Sequence, residues 1–229
     1  MTTRTRILAA LAALLLPLAA AAQSGYPAHA ITMVVPFPPG GVADITGRPL
    51  AEAMGRILKV PVVVENRSGA GGGIGMQYVS RAKPDGYTVL MALSSISIIP
   101  EADKVMGRDP MYQLAQLVPI ARLTADPTVL AVRADSPYHS VADLIAAAKK
   151  SPGSIPYGSS GNYGTMHVPM EMLSQATGAK MLHVPFTGAG PAIVALLGGQ
   201  VDAIATGPST VTGHVHGGKL RVLATWGEG

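Results

Sequence analysis

The sequence predicts an α/β protein assembled from two α/β units. Three observations carry that prediction. Short β-branched apolar runs alternate with longer segments of helical periodicity. Nearly every strand candidate runs into a turn rich in glycine or proline, residues that account for 27 and 19 positions. The 229 residues are 48% apolar and only 13% charged, the balance of a chain with a core rather than a charged disordered tail. That length accommodates two small domains or one large one.

Residues 31–36 (ITMVVP) read as a buried strand. Pro38-Pro39-Gly40-Gly41 ends it, and residues 42–58 follow as a helix with Asp44 in the first turn. Pro49 is expected to kink that helix or delay its start. Residues 61–65 (PVVVE) form the second strand, then a glycine loop, a helix over 75–81, a Pro84-Asp85-Gly86 turn and a third strand over 87–93. This βαβαβ pattern implies a parallel sheet with right-handed crossovers.

Beyond it, residues 120–123 and 128–132 read as strands around an Ala-Asp-Pro turn. Ser140-Val141-Ala142-Asp143 reads as a capping box that opens a helix ending at Lys149-Lys150. The alternation then resumes. Strands are expected over 154–157, 181–184, 201–205 and 220–224, and helices over 165–177, 191–197 and near 209–216. The join between the two units falls near residues 122–132.

The first 22 residues read as a secretory leader. Arg4 and Arg6 precede an Ala/Leu run of about 16 residues, short of the roughly 20 that span a bilayer. Ala20-Ala21-Ala22 supplies the small residues of a cleavage site, placed after Ala22. The formal charge of +4 then falls to 15 basic against 13 acidic residues, or +2, with no basic stripe for nucleic acid. The absence of cysteine excludes disulfides, thiolate metal sites and thiol catalysis.

Three junctions share one design, a strand, a glycine-bearing turn and a helix start: residues 38–44, 159–165 and 187–191. A helix start carries unpartnered N–H groups and a partial positive charge, so it binds carboxylate or phosphate without Lys or Arg. In open α/β sheets ligands gather at the carboxyl ends of strands, where all three turns fall. Ser94, Ser95 and Ser97 are candidate donors after the third strand, and Asp202 a candidate orienting group.

Other chemistry finds less support. The run GAGGGIG at 69–75 fails the dinucleotide fingerprint in every register, because the sixth position is Ile74, Met76 or Tyr78. His214 and His216 have no third ligand at matching spacing, and a surface turn accounts for them. His167 admits two roles, a side chain fixing the ligand turn or the base of a Ser–His–Asp set with Ser159 or Ser160 and Asp202. No G-x-S-x-G elbow surrounds any serine, which favours the first.

Several segments together carry a family resemblance. They are Tyr26-Pro27, ITMVVPFPPGGVAD at 31–44, VENRSGAGGGIG at 64–75 and PDGYTVL at 84–90. Further on come YGSSG at 157–161 with His167, VPFTG at 184–188, PAIVALLGGQVD at 191–202 and GKLRVL at 218–223. In this order they resemble the Bug family, the tripartite tricarboxylate transporter solute receptors of the TctC type.

The resemblance implies a type II-like periplasmic binding protein: two α/β domains, residues 23–122 and 123–225, with a cleft between them for a small carboxylate. It implies no catalysis and no cofactor, a monomer, and a membrane permease pair of the TctA/TctB type as partner. Bridging waters often carry the carboxylate in that family. Carried over, the ligand-binding residues are Phe37, Pro39, Gly40, Gly41, Asp44, Ser94, Ser95, Ser159, Gly161, Thr165, His167, Thr187, Gly188, Ala189 and Asp202. Many relatives carry Lys where this chain has Thr187. The family pattern continues past Gly229, so the first domain is expected to be incomplete, with residues 226–229 beginning the return to it.

Overall fold

The computed structural model describes residues 25–227. The expected leader and its cleavage site lie outside the described residues, as do the last two residues of the expected return.

The first half builds a three-stranded sheet. Strand β1 (Ile31–Val35) leads through the double-proline turn into helix α1 (Val42–Leu58), then β2 (Val62–Asn66). A short 3-10 helix (Ala70–Gly72), α2 (Gly73–Ser80) and β3 (Thr88–Leu90) follow. The order is β2-β1-β3, all parallel, with Thr32 paired to Val63 on one side and Thr88 on the other. Met33, Val35, Ala43, Ala51 and Met91 form the core under α1. Met76, Ile99 and Tyr112 make a second cluster, to which helix α3 (Ser95–Val105) contributes.

The second half builds a five-stranded sheet of order β6-β5-β7-β4-β8. Its strands are β4 (Thr128–Arg133), β5 (Pro156–Ser159), β6 (Leu182–Pro185), β7 (Ala203–Thr206) and β8 (Leu220–Trp226). Its helices are α4 (Val141–Lys150), α5 (Val168–Thr177), α6 (Ala189–Leu197) and α7 (Thr212–His216). β5 runs parallel to β6 and β7, whereas β4 is antiparallel to β7 and β8.

The two-residue period of β4 places the sheet between two cores. Val129 and Ala131 pack with Ile193, Leu196 and Ile204 on the α6 side. Leu130 and Val132 pack with Leu144, Ala148, Tyr157 and Met170 on the α4–α5 side.

Several expectations need correction. α1 runs unbroken through Pro49. The proline lies on the exposed face, so the carbonyl that loses its donor is turned toward water. Residues 120–123 form no strand: Ile120 is 85% exposed, with no neighbouring strand to pair with it. The expected strand over 87–93 shortens to three residues because α3 begins at Ser95, a helix the sequence reading passed over. β5 starts at Pro156 rather than at residue 154, and α5 at Val168 rather than at 165, residues 165–167 being turn.

Candidate functional site

Because β1, β2 and β3 are parallel, their carboxyl ends share one edge, and so do those of β5, β6 and β7 in the other sheet. The two edges face each other across a narrow cavity. Phe37, Gly41, Val42 and Leu93 line it from the first sheet. Ser160, Thr165, Met166, Ala189, Thr206 and Gly207 line it from the second. None of these side chains is charged. The space open to a water between these walls is about 20 Å³, room for about one water molecule.

The first wall is built by a hydrogen-bonded hub. Asp44, in the first turn of α1, is 4% exposed. Its carboxylate accepts from Gly40 N (3.0 Å), Asn66 Nδ2 (2.9 Å) and Arg48 Nε (3.0 Å). Asn66, at the end of β2, also donates to Phe37 O at 2.8 Å. Burial pushes the Asp44 pKa up, but the bonds from Arg48, Asn66 and Gly40 outweigh it and hold it below the ordinary carboxylate value. Asp44 is thus committed to shaping the Phe37–Gly41 turn, and it presents no oxygen to the cavity. Asn66, whose role was not anticipated, ties the same turn to β2.

The second wall is the turn after β5. Ser159 is fully buried, and its Oγ accepts from Gly161 N at 3.1 Å and lies 2.6 Å from His183 Nε2. Ser160 is 3% exposed, and its Oγ has no hydrogen-bond partner among the described residues although Ser160 lines the cavity. Tyr163 sits at φ 59°, the left-handed region, and its N–H donates to His167 Nδ1 at 3.1 Å. His167 therefore faces the back of the turn, away from the cavity lining.

The Ser–His–Asp alternative is not assembled. The base nearest Ser159 is His183, Ser159 is sealed from solvent, and Asp202 lies just before β7, at the end opposite Thr206. Burial raises the Asp202 pKa, with Arg133 opposing it.

The third wall is the start of α6. Ala189, its first residue, lines the cavity and packs near Gly41, the N-cap of α1. Gly188 abuts Pro38 so closely that a Cβ there would overlap the proline ring. Beside this seam, Gly161 (φ 111°) and Gly71 (φ 66°) meet backbone to backbone; a Cβ on Gly161 would stand 2.9 Å from Gly71 N.

Of the expected site residues, the structure brings Phe37, Gly41, Thr165 and Ala189 into the cavity wall. Pro39, Gly40, Ser159, Gly161 and Gly188 stand in the turns behind it. Thr187 and Ser94 are exposed, and Ser95 is fully buried at the start of α3 with an unpartnered Oγ. Asp44, His167 and Asp202 lie outside the lining. Val42, Leu93, Ser160, Met166, Thr206 and Gly207 also line the cavity, Val42 and Ser160 from within the expected turns 38–44 and 159–165. Their turns were legible, but which side chain faces inward depends on how the sheets meet.

Two sheets of this order and mixture, with helices packed on them, have the fold of a periplasmic binding protein, and comparison with known proteins agrees on the fold. A family model described as the tripartite tricarboxylate transporter family receptor, TctC, matches residues 46–229. The chain belongs to that family.

A protein in the gbd 5' region of Cupriavidus necator is 38% identical over 227 residues, covering 98% of this chain and 68% of that protein. Bordetella pertussis BugT is 38% identical over 199 residues, covering 87% of this chain and 61% of BugT. This chain thus spans about two thirds of the length of these relatives.

Among solved structures, the periplasmic binding protein BugD superposes with TM-score 0.80 at 34% identity, over 87% of this chain and 66% of BugD. An R. palustris protein with adipate gives 0.75 at 30%, over 88% and 67%. MatC from Rhodopseudomonas palustris with bound malate gives 0.80 at 25%, over 89% and 68%.

Proposed function

We propose that this protein is an extracytoplasmic solute receptor that captures a small dicarboxylate between its two sheets and delivers it to a tripartite-type membrane permease. One observation carries the reading: helix starts and glycine turns from both sheets converge on a single cavity whose lining has no charged side chain. Such a site stabilises an anion through backbone N–H groups and hydroxyls, and the helix ends add about half a positive charge each. The malate and adipate in two family structures support a ligand with a carboxylate at each end.

On this reading residues 23–122 and 123–225 act as the two lobes, and the leader cleaved after Ala22 takes the protein to the periplasm. The ligand touches the turns of Phe37–Gly41, Ser159–Thr165 and Gly188–Ala189, with Ser160 as a hydroxyl donor. TctA/TctB-type subunits take it from there, and the receptor works as a monomer.

Isothermal titration with adipate and with adipamide tests the chemistry. The acid should bind, and the uncharged diamide should be weaker by at least an order of magnitude. Equal affinities would remove the anion from the mechanism.

A further inference from the structure

Behind the cavity wall lies a column of aromatic and titratable groups that do not line the cavity. His183 on β6 stacks on His167 at 4.0 Å between ring centroids, and on Tyr157 of β5 at 5.1 Å. The two imidazoles grip the same turn at different points. His183 Nε2 lies 2.6 Å from Ser159 Oγ, which itself accepts from Gly161 N. His167 Nδ1 accepts from Tyr163 N, at the residue held in the left-handed region.

We propose that His167 and His183 are positioning residues, a stacked pair of uncharged imidazoles that holds the Ser159–Tyr163 turn in its ligand-binding shape, and that protonation of the pair releases the turn. The proposal rests on the reading that this turn holds the ligand.

The chemistry follows from the donors. An imidazole that accepts from a backbone N–H at Nδ1 carries no proton there, so the imidazolium form of His167 cannot keep its bond to Tyr163. Two rings stacked at 4.0 Å also repel each other when both are charged. The titratable groups facing the pair are Glu171 on α5, Tyr157 on β5 and Tyr163 in the turn. Glu171 lies 3.9 Å from His167 Nε2 and favours the cation, but it also accepts from Tyr157 Oη at 2.5 Å.

Burial, and repulsion from His167 whenever that ring is protonated, lower the His183 pKa to about 4 against the pull of Glu171, and burial lowers that of His167. The held turn therefore favours neutral rings. Its advantage is full above pH 6.5, the ordinary imidazole value, and is lost as pH falls toward 4.

Amide exchange by NMR tests this without any ligand, using the full chain, its pH-corrected protection at Gly161 and Tyr163, and the double variant His167→Asn with His183→Gln. Asn and Gln keep an acceptor at the Nδ1 and Nε2 positions but do not titrate. Wild-type protection at both amides should fall more than tenfold between pH 7.5 and 5, while the double variant stays within twofold. Flat wild-type protection, or the same fall in the variant, overturns the proposal.

Adipate titration of both proteins over the same range separates the two readings. The ligand's own protonation is common to both and cancels. Protection lost in acid with no matching loss of affinity relative to the variant would leave the clamp standing and remove the turn from the ligand site.

Discussion

Asp44 shapes the Phe37–Gly41 turn from behind the cavity lining. Its carboxylate gathers the N–H groups of Gly40 and Asn66 and the guanidinium of Arg48, and Asn66 carries the contact on to Phe37 O. Asp44→Asn keeps the volume but turns acceptors toward donors, so it should cost about 1–3 kcal/mol in a urea melt, the usual penalty for charged hydrogen bonds left unmade. Because the folded-state pKa is lowered, this contribution is present above the ordinary carboxylate value of 3.8 and lost as pH falls through the lower, folded one. The difference between wild type and variant should therefore shrink in strong acid.

Gly41 makes the opposite kind of residue-scale prediction. Its φ of −85° is open to any residue, so no strain attaches to replacing it. A Cβ there would meet Ala189 Cβ at 3.6 Å, ordinary contact, yet the branches of valine would project into a space of about 20 Å³. Gly41→Val should weaken adipate binding tenfold or more in titration calorimetry while the melting midpoint changes little.

At the scale of elements, legibility followed how local the determining forces are. The capping box of α4 was read from four residues and stands as read: Ser140 Oγ accepts from Asp143 N, and Asp143 accepts from Ser140 N. Ser140→Ala should cost about 0.5–2 kcal/mol in a denaturation experiment, since it strands one N–H at the helix start.

Helix α3 was not legible. Its opening, Ser95-Ile96-Ser97-Ile98, alternates with the period of a strand, and Pro100 falls inside the helix. What stabilises it is tertiary: Ile99 and Asp103 are buried, and Tyr112 Oη donates to Ile96 O at 2.7 Å from 16 residues away. Residues 120–123 failed for the converse reason. A short, mostly apolar segment such as Ile-Ala-Arg-Leu becomes a strand only beside another strand, and none adjoins it. In the site, the glycine turns were visible in sequence because glycine marks the backbone itself. The placements of His183 and Ser160 were not, because the first depends on the β5–β6 pairing that brings it to Ser159 and the second on how the two sheets meet.

For the molecule as a whole, the narrowness of the cavity bears on how a ligand would enter. On the proposed function, a dicarboxylate fits a gap this narrow only when the two sheets part, so its binding is expected to couple to hinge motion about the segment between them. A ligand that binds only the folded protein, present at 100 times its Kd, stabilises it by about 2.7 kcal/mol. For a chain of this size that is a rise in Tm of about 5–11 °C. Differential scanning fluorimetry with adipate or malate should show this rise; no shift with either would exclude both as ligands.

The crossing between the two sheets carries its own optical label. Thr128, where the chain enters the second sheet, pairs with Trp226 at the end of β8, and Pro127 lies against Gly227. Trp226 is the only tryptophan in the sequence. A lone, partly buried indole beside the crossing makes the protein its own fluorophore. Red-edge excitation that leaves the tyrosines dark will follow opening and closing through its emission maximum and its quenching by iodide, with no dye attached. The signal should vanish in Trp226→Phe.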